Sequence, residues 1–554
     1  MTQGKHLVMQ SLASEGVRYI FGNPGTTESP LMDVLAGYPQ IEYMLVLHEG
    51  VAVGMADAYA LATGRVGVVN LHVAPGLGNA LGMLFNALEG HSPVIVTAGE
   101  PDGRLRLREP LLSHDLVAMA APLTRWSVRA ERAEELPLLM HRAFKVAQEP
   151  PGGPVFVALP MNVMEEESDA RVLPPTHRFT HIQPDPAAIE EAANLLLEAR
   201  NPVIVCGDGV FRSHAQGELV AVAELLGAPV WNTLLTSAVN FPMTHAHFRG
   251  ELADNTAQIR QSLGQPDAVL LVGGHFFREV FYTPGLPWPA EAAVVQIEAA
   301  PQALARNFPV TVGVAADPKA ALRDLHAALG SRAAAPFLAA SAARRGEQAR
   351  LKAEEQRRYQ ARVRAAWDAR PMTTARFAAE LKNALPPDVV VVGEVNTGRA
   401  DLLRTIAFER AGDYYGSRGG GIGQGLPGAL GYRLAHPDRP LLAISGDGSA
   451  LYTIQALWTA ARYHLPVVFA ILDNRAYQIV KNNLERYRKF FGVEGGRGCP
   501  HLDLTNPHID YVQLARGFGV PARRVEEPAE VGPAMREGFA SEGPYLLDVL
   551  VGAH

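Results

Sequence analysis

Residues 441–474, LLAISGDGSALYTIQALWTAARYHLPVVFAILDN, decide the fold class of this chain. The stretch opens on an uninterrupted apolar segment, passes through Gly-Asp-Gly-Ser, and closes on a second apolar segment that ends in Asp-Asn. Between the two, apolar residues recur at helical spacing: Leu451, Ile454, Leu457 and Ala461. Apolar segments without polar alternation are typical of strands buried on both faces of a parallel sheet. The stretch therefore predicts a strand, a helix and a second, parallel strand.

The same pattern recurs along the chain and predicts an α/β architecture. Comparable apolar segments, each followed by Gly or Pro and a helical pattern, lie at 66–71, 93–98, 155–159, 203–206, 269–272 and 389–392. Two stretches, 164–186 and 331–374, are typical of linkers. Glu and Gln interleave the Arg of the second one, which indicates a solvated helix or linker rather than an RNA-binding arm. We predict three domains, each a mainly parallel sheet flanked by helices, at residues 1–165, 186–330 and 371–554.

The composition excludes several classes of protein. The 554 residues include 50 Lys and Arg against 57 Asp and Glu, and the net charge of −7 gives no general reason to bind nucleic acid or an anionic membrane. A hydrophobic share of 48% with 19% charged residues excludes disorder as the default. The only two cysteines, Cys206 and Cys499, exclude a disulfide framework and cannot form a zinc site by themselves. Without a signal-peptide stretch or a run of about 18 apolar residues, we expect a cytoplasmic protein with no membrane anchor.

The strongest chemical signal is the turn at residues 446–449, where a predicted strand meets a predicted helix. A helix N-terminus with glycines offers unpaired N–H groups and close backbone approach, which suit phosphate. Asp447 on this turn and Asn474 at the end of the next strand present oxygen atoms at one edge of the sheet, with the carbonyl of Ala476 just beyond. Together they predict a site that holds Mg²⁺ against a diphosphate.

Two similar patterns elsewhere carry less weight. Gly-Asp-Gly is also an ordinary strand-to-helix turn, and a second copy occurs at 207–209. Asn232 lies downstream of that copy, but it leads into a Thr/Ser loop instead of closing the next strand after one helix. His245 and His247 have no third ligand nearby in the sequence, so we expect a structural role for the pair.

Several separated motifs resemble those of one enzyme family. The segment with 25 residues between Gly448 and Asn474 resembles the thiamine diphosphate signature. FGNPGTTE at 21–28, LVLHEGVAVGMADAYA at 45–60 and NLHVAPGLGNA at 70–80 resemble the pyrimidine-binding domain of that superfamily. The chain is thus similar to the thiamine diphosphate-dependent 2-oxo acid decarboxylase and acetolactate synthase superfamily, and within it to benzoylformate decarboxylase and its homologues. The resemblance implies a pyrimidine-binding domain, a Rossmann-like middle domain and a diphosphate-binding domain, in that order.

The resemblance implies cofactor contacts residue by residue. Glu49 would hydrogen-bond the ring nitrogen of the pyrimidine, and Asn79 would lie close to cofactor or substrate. In SRGGGIGQGLPGALG at 417–431, the carbonyl of Gly420 would accept from the pyrimidine amino group, and Ile422 would form an apolar wedge between the two rings. Further contacts would come from Asn396, Thr397, Gly448, Ser449 and Tyr477 at the diphosphate, and from Asp447, Asn474 and Ala476 at Mg²⁺.

The same comparison implies catalytic groups near the reacting carbonyl. His72 matches the family histidine that handles protons there, and imidazole suits proton transfer near neutral pH. Thr26 falls where benzoylformate decarboxylases carry a serine near the substrate carboxylate, so a hydroxyl is kept. Apart from the motifs, His72 has an alternative as a structural histidine at a strand end, and Glu49 as a favourable charge at a helix N-terminus.

Two departures from the family pattern bear on the substrate. Val280 replaces a second family histidine from the middle domain, and His275 lies five residues earlier. Ile479 and Asn483 occupy positions where an aryl pocket has a small residue and an aromatic one. An unsatisfied amide beside a ring is unfavourable, so Asn483 argues against a simple phenyl-binding slot.

The resemblance implies a lyase that uses thiamine diphosphate and Mg²⁺ for non-oxidative decarboxylation of a 2-oxo acid, with carboligation to an aldehyde as a further activity. It also implies a homotetramer, a dimer of dimers, with active sites between the first domain of one subunit and the third domain of another. Two alternatives stay open. One is a carboligase like acetolactate synthase with a flavin in the middle domain, which the missing third glycine after residues 207–209 weakly disfavours. The other is a non-catalytic homologue that binds thiamine diphosphate.

Overall fold

The computed structural model describes residues 1–177, 180–495 and 498–552. Three six-stranded sheets follow one another along the chain, and every strand pair within them is parallel. Helices flank each sheet. The predicted fold class, three mainly parallel sheets covered by helices, is confirmed.

The N-terminal unit alternates strands and helices from its first residues. Its elements are β1 (Thr2–Gln3), α1 (Gly4–Ser14), β2 (Tyr19–Gly22), α2 (Ser29–Val34), β3 (Glu42–Leu45), α3 (Glu49–Thr63), β4 (Gly67–His72), α4 (Val73–Glu89), β5 (Val94–Glu100), α5 (Leu116–Ala120), β6 (Trp126–Arg129), α6 (Leu136–Gln148), β7 (Val155–Pro160), α7 (Met161–Glu165) and β8 (Glu167–Ser168). The sheet order is β3-β2-β4-β5-β7-β6, while β1 and β8 form a small antiparallel pair. The carboxyl ends of β2 and β4 are therefore neighbours.

The middle unit has the strand order of a doubly wound sheet. Its elements are α8 (Pro186–Glu198), β9 (Pro202–Cys206), α9 (Gly209–Arg212), α10 (Gln216–Leu226), β10 (Val230–Asn232), β11 (Phe248–Glu251), α11 (Thr256–Leu263), β12 (Ala268–Val272), β13 (Ala293–Glu298), β14 (Val312–Ala315) and α12 (Pro318–Arg332). The order β11-β10-β9-β12-β13-β14 is the 3-2-1-4-5-6 arrangement of Rossmann-type sheets. This agrees with the Rossmann-like middle domain that the resemblance implied.

The C-terminal unit follows a long connecting helix, α13 (Ala335–Ala365). Its elements are α14 (Thr374–Lys382), β15 (Val390–Glu394), α15 (Arg399–Ile406), β16 (Tyr414–Gly416), α16 (Gly425–Ala435), β17 (Leu441–Gly446), α17 (Asp447–Ala450), α18 (Ala456–Arg462), β18 (Val468–Asp473), α19 (Gln478–Phe491), α20 (Tyr511–Gly517), β19 (Ala522–Val525), α21 (Pro528–Phe539) and β20 (Tyr545–Leu550). The sheet order is β16-β15-β17-β18-β20-β19, so β17 and β18 lie side by side.

The three units pack against each other through shared apolar cores. One buried cluster joins residues of the first and third units, and another joins the middle and third units. Helices α3 and α16 approach closely, since a Cβ on Gly431 would lie 2.2 Å from the carbonyl oxygen of Met55. Among the described residues, no helix combines the length and the apolar character needed to cross a bilayer.

The two predicted linkers have different structures. The second contains α13, whose 31 residues form one helix. That helix is not wholly solvated, because the guanidinium of Arg249 donates to the side-chain oxygen of buried Gln348 at 2.7 Å. The first linker begins with α7 and β8, and its residues 178–179 lie outside the described part of the chain.

The predicted helix after residues 446–449 is two helices in the structure. α17 ends at Ala450 and α18 begins at Ala456. Between them, N–H groups bond to carbonyls three residues back, as from Tyr452 to Ser449 at 3.2 Å. The hydroxyl of Thr453 donates to the carbonyl of Gly423 at 2.7 Å, which ties this tightened stretch to the glycine-rich segment.

Candidate active site

The ends of β17 and β18 bring three of the predicted site residues together. Because the two strands are parallel neighbours, Asp447 and Asn474 both lie just beyond their carboxyl ends. The N–H of Arg475 donates to Oδ1 of Asp473, the last residue of β18, at 3.2 Å. The amide oxygen of Asn474 accepts from the N–H of Ala476 at 3.0 Å. Asp447, Asn474 and Ala476 thus share one edge of the third sheet.

Asp447 carries a buried oxygen with no hydrogen-bond partner. Oδ1 accepts from the N–H of Gly448 at 2.8 Å, whereas Oδ2 is buried without a partner among the described residues. Burial raises the pKa of Asp447 to about 6, and the carboxylate of Asp473 nearby adds to the effect. A bound cation would compensate such a buried carboxylate, and oxygen ligands are those that Mg²⁺ prefers. The residues present fit the metal.

The second Gly-Asp-Gly turn differs in this respect. Asp208 lies between β9 and α9, and its Oδ2 accepts from the N–H of Ser237 at 2.8 Å. Its Oδ1 accepts from the side-chain amide of Asn240 at 3.0 Å. Both oxygens are therefore used within the protein, and the turn supports a loop of the middle unit.

Several polar residues lie on the Asp447 turn or near it, at the carboxyl ends of β15, β17 and β18. A Cβ on Gly448 would lie 2.5 Å from the ring of Tyr477, so glycine allows this tyrosine to lie against the turn. Asn396 and Thr397 lie between β15 and α15, one exposed and one half-buried. No hydrogen bond of the described residues involves the side chains of Ser449, Asn396 or Thr397, so these groups are open to a ligand.

The glycine-rich segment at 417–425 has a backbone that most residues avoid. Gly419, Gly420 and Gly423 have φ angles of +67°, +95° and +101°. This left-handed region favours glycine because a Cβ would be strained there. Ile422, the one bulky apolar residue, is half-buried between them.

Glu49 is the first residue of α3 and is buried. Its Oε2 accepts a hydrogen bond from the side-chain amide of Asn79 on α4 at 3.0 Å. A Cβ on Gly76 would lie 3.2 Å from Oε1, so a glycine leaves room for the carboxylate. The structure therefore joins Glu49 and Asn79, two of the predicted site residues.

His72 ends β4 and is held by a carboxylate from the neighbouring strand region. Its Nδ1 lies 2.8 Å from Oε2 of Glu28 and 3.0 Å from Oγ1 of Thr27. The other oxygen of Glu28 accepts from the N–H of Gly99 at 2.8 Å. A carboxylate beside Nδ1 assigns the proton to that nitrogen in the neutral ring, which leaves Nε2 as the acceptor.

Glu28 was absent from the predicted site residues. It is the last residue of the motif FGNPGTTE, which follows β2. Because β2 and β4 are neighbours in the sheet, a carboxylate after β2 and a histidine at the end of β4 could have been expected to meet. Thr26 lies on the same turn but is exposed, and no hydrogen bond of the described residues involves its side chain.

The predicted site residues form two separate groups within one chain. Glu49, Asn79, His72 and Thr26 belong to the N-terminal unit, and the Asp447 group belongs to the C-terminal unit. Within the described ranges, no hydrogen bond or ion pair joins a member of one group to a member of the other. The two groups therefore come from different units of the chain.

The region of the missing histidine is lined by other groups. Val280 is 73% exposed and lines a cavity of about 230 Å³ together with His275 and Gly419. The ring of His275 stacks on that of His91 at a centroid distance of 5.0 Å. His275 is thus engaged with the N-terminal unit rather than placed at the position of Val280.

The amide of Asn483 on α19 has a partner. Its oxygen accepts from the guanidinium of Arg486 at 3.2 Å, and Arg486 pairs with Asp254 of the middle unit at 2.5 Å. Asn483 and Ile479 are both half-buried. Asn483 is therefore part of a charged network that reaches the middle unit.

The His245–His247 pair and the two cysteines lie outside the two groups of predicted site residues. His245 Nε2 lies 3.3 Å from Glu224, and its Nδ1 accepts from the N–H of His247 at 3.1 Å. In the part of the chain that the structure describes, no three His, Cys, Asp or Glu side chains cluster as a metal site. Cys206 is buried, and burial raises the pKa of its thiol. Cys499 is partly exposed and has no disulfide partner.

Family models of thiamine pyrophosphate enzymes match most of the chain. The N-terminal TPP-binding domain matches residues 2–119, the central domain residues 189–325, and the C-terminal TPP-binding domain residues 397–549. Benzoylformate decarboxylase of Pseudomonas aeruginosa is 35% identical over 543 residues, which cover 97% of both chains. A putative acetolactate synthase large subunit of Mycobacterium tuberculosis is 30% identical over 560 residues, covering 99% of both.

Solved structures with the same fold agree with these matches. Benzoylformate decarboxylase from Polynucleobacter necessarius superposes with a TM-score of 0.87 at 25% identity, covering 100% of this chain and 99% of that one. A 4-hydroxybenzoylformate decarboxylase of Rhodococcus jostii RHA1, described as thiamine diphosphate-dependent, superposes with a TM-score of 0.85 at 30% identity and the same coverage.

Proposed function

Since the chain belongs to the thiamine diphosphate-dependent enzymes that include benzoylformate decarboxylase and acetolactate synthase, we propose that it decarboxylates a 2-oxo acid non-oxidatively. Carboligation to an aldehyde is its further activity. The observation that carries the proposal is the buried, unpartnered Oδ2 of Asp447 beside Asn474, at one edge of a parallel sheet. Asp208, in a turn of the same sequence, has no such free oxygen.

The positions of the side chains support the cofactor contacts that the resemblance implies. Asp447, Asn474 and the carbonyl of Ala476 would hold Mg²⁺. Diphosphate contacts would come from groups on the surrounding turns: Gly448, Ser449, Tyr477, Asn396 and Thr397. The carbonyl of Gly420 and the side chain of Ile422 would face the two rings. Bound thiamine diphosphate supplies the electron sink that decarboxylation of a 2-oxo acid requires.

The chain's own groups handle the protons. The carboxylate of Glu49, oriented by the amide of Asn79, would hydrogen-bond the pyrimidine ring nitrogen. Nε2 of His72 would exchange a proton near the reacting carbonyl, because Glu28 and Thr27 occupy Nδ1. Thr26, exposed on the adjacent turn, would offer its hydroxyl to the substrate carboxylate.

We propose further that the enzyme is a cytoplasmic homotetramer, a dimer of dimers. The placement of the two groups in different units of one chain supports this assembly, since a second copy would bring Glu49 of one subunit to Asp447 of another. The proposed domains remain 1–165 for the pyrimidine, 186–330 in the middle, and 371–554 for the diphosphate.

The experiment that tests the activity measures CO₂ release with thiamine diphosphate and Mg²⁺ over a panel of 2-oxo acids. The panel includes aromatic, aliphatic and cationic acids, because Asn483, which contacts Arg486 and through it Asp254, would make one wall of the substrate site polar. Benzoylformate and 4-hydroxybenzoylformate are included because relatives carry those names. We expect release from at least one acid, abolished by Asp447→Asn; no release from any would reject decarboxylation.

A carboligase like acetolactate synthase is the second candidate. It is favoured by the Mycobacterium tuberculosis relative and by a cavity of about 500 Å³ at the carboxyl edge of the middle sheet, lined by Gly209, Gly273 and Glu298 among others. A flavin in that cavity would make the purified protein yellow. A colourless protein that releases CO₂ without forming an acetohydroxy acid from pyruvate would exclude this candidate.

The variant Glu49→Gln distinguishes the two enzyme candidates from a third one, a non-catalytic homologue that binds the cofactor. For an enzyme, we expect this variant to keep most of its cofactor affinity but to lose turnover and deuterium exchange at C2 of bound thiamine. A wild-type protein that binds cofactor without such exchange would be non-catalytic.

A further inference from the structure

Asn86 holds one residue of the glycine-rich segment by both of its backbone groups. Its Oδ1 accepts from the N–H of Gly421 at 3.0 Å, and its Nδ2 donates to the carbonyl of the same residue at 2.9 Å. Asn86 is fully buried on α4 of the N-terminal unit, so the contact joins two units across 335 residues. A Cβ on Gly419 would lie 2.5 Å from Oδ1 of Asn86, and one on Gly421 would lie 2.8 Å from it.

Glu394 holds the other side of Ile422. Its carboxylate accepts from three consecutive N–H groups: Gly423 at 2.7 Å, Gln424 at 3.2 Å and Gly425 at 2.8 Å. Glu394 ends β15 and is 2% exposed, so these bonds are shielded from water. Thr453 adds a bond to the carbonyl of Gly423 at 2.7 Å.

Ile422 is therefore flanked by two residues whose backbones are fixed by buried side chains. We propose that Asn86 and Glu394 are positioning residues, which hold the 420–422 segment in its cofactor-binding shape before thiamine diphosphate arrives. This inference rests on the proposed function, since it assigns the segment to the cofactor. Neither residue touches the cofactor itself in this proposal.

The physical reason is conformational entropy. Glycine loses more freedom on ordering than any other residue, and the segment contains Gly419, Gly420, Gly421 and Gly423. A ligand that had to order such a segment on binding would bind more weakly than one that meets it already ordered. Because the hydrogen bonds on both sides of Ile422 form when the chain folds, the segment loses its conformational entropy during folding and not during cofactor binding.

Two single variants, Glu394→Gln and Asn86→Leu, test the proposal. Each substitution leaves buried backbone groups unsatisfied, which weakens the ordered shape. In the apo-protein we expect amide exchange of residues 419–425 to be about tenfold faster. We also expect the dissociation constant of thiamine diphosphate, at fixed Mg²⁺, to rise about tenfold. Thr453→Val removes only the hydrogen bond to the carbonyl of Gly423, so we expect smaller increases in amide exchange and in the dissociation constant. If the other two variants do not fold, this variant provides the test.

Asp208→Asn is the matched control. It disturbs a carboxylate that accepts from Ser237 and Asn240 in a turn of the same sequence, so it reports the general effect of such a loss. We expect it to leave amide exchange at 419–425 and cofactor affinity within twofold of wild type. Equal cofactor affinity in wild type and in the Glu394→Gln and Asn86→Leu variants, or an equal loss of affinity in Asp208→Asn, would overturn the positioning role. A wild-type protein that binds no thiamine diphosphate would instead reject the proposed function.

Discussion

Nδ1 of His72 lies 2.8 Å from Oε2 of Glu28, and the side chain of that glutamate is almost wholly buried. His72 is the last residue of β4, and Glu28 lies on the turn after β2, the neighbouring parallel strand. Glu28 is itself held by the N–H groups of Gly25 and Gly99. The carboxylate therefore has a fixed orientation and in turn fixes that of the imidazole, with Nε2 left for a substrate.

The first prediction concerns this pair. Glu28→Gln keeps the shape of the side chain but removes the charge that orients and supports a protonated imidazole. We expect kcat to fall about 10²-fold while the affinity for thiamine diphosphate stays within threefold. Steady-state kinetics with an accepted 2-oxo acid and a separate cofactor titration measure both. Unchanged kcat would show that His72 acts without Glu28.

The second prediction compares the two Gly-Asp-Gly turns. Asp447→Asn removes the carboxylate proposed to hold Mg²⁺, so we expect cofactor affinity at a fixed Mg²⁺ concentration to fall at least about 10²-fold. Removing Mg²⁺ with a chelator should have the same effect on wild type. Asp208→Asn is the control and should bind cofactor as wild type does. Equal cofactor affinity of both variants would refute the metal site.

The third prediction tests whether two chains share each site. A hybrid of Glu49→Gln subunits with Asp447→Asn subunits contains one intact site in each mixed dimer. We expect doubly tagged hybrids to show about half the wild-type activity, although each parent is inactive. The control is a hybrid of Glu49→Gln subunits with His72→Asn subunits. Both changes lie in the N-terminal unit, so each site of that mixed dimer carries one of them and we expect no activity. A hybrid as inactive as its parents would place each site within a single chain.

The fourth prediction is a pH dependence of stability. His247 is 2% exposed, and burial lowers its pKa to about 4 from an ordinary value near 6.5, with His245 and Arg249 adding to the effect. Between these values the unfolded chain binds a proton that the folded chain does not. The stabilisation is therefore complete above pH 6.5 and is lost as the pH falls toward 4.

The size of this effect is measurable by denaturation. From pH 7 to pH 5, we expect His247 to account for a loss of about 2 kcal/mol in the free energy of unfolding. His247→Gln should lose less stability over that interval by about this amount. Denaturant titrations of the apo-protein at the two pH values measure the difference. An identical pH dependence in the two proteins would assign the acid sensitivity to other groups.

Much of the fold was predictable because buried parallel strands leave a local signal. The segment at 155–159 is uninterrupted and apolar, and β7 lies there with every residue buried. β6, with the sequence WSVR, has no such signal, since its four residues are all half-buried at the sheet edge. The predicted single helix after residues 446–449 was wrong in detail because Thr453 bonds to a segment 30 residues away.

The positions of Asp447, Asn474 and Glu49 beyond strand ends were predictable, because each lies in a motif that follows an apolar segment. The supporting groups were not, because their partners are distant in sequence. Glu394 ends an apolar strand, and its three N–H partners lie 29 to 31 residues later. Asn86 and Gly421 are 335 residues apart, and no local pattern links them. Such pairs are set by how the units pack.

A crystal structure of the protein with thiamine diphosphate and Mg²⁺ tests the central proposal most directly. We expect the metal to contact Asp447, Asn474 and the carbonyl of Ala476, and Ile422 to lie between the two rings. A glutamate at position 49, contributed by a second copy of the chain, should hydrogen-bond the pyrimidine. Cofactor bound elsewhere, or bound at Asp447 with no residue 49 near its pyrimidine, would contradict the proposal.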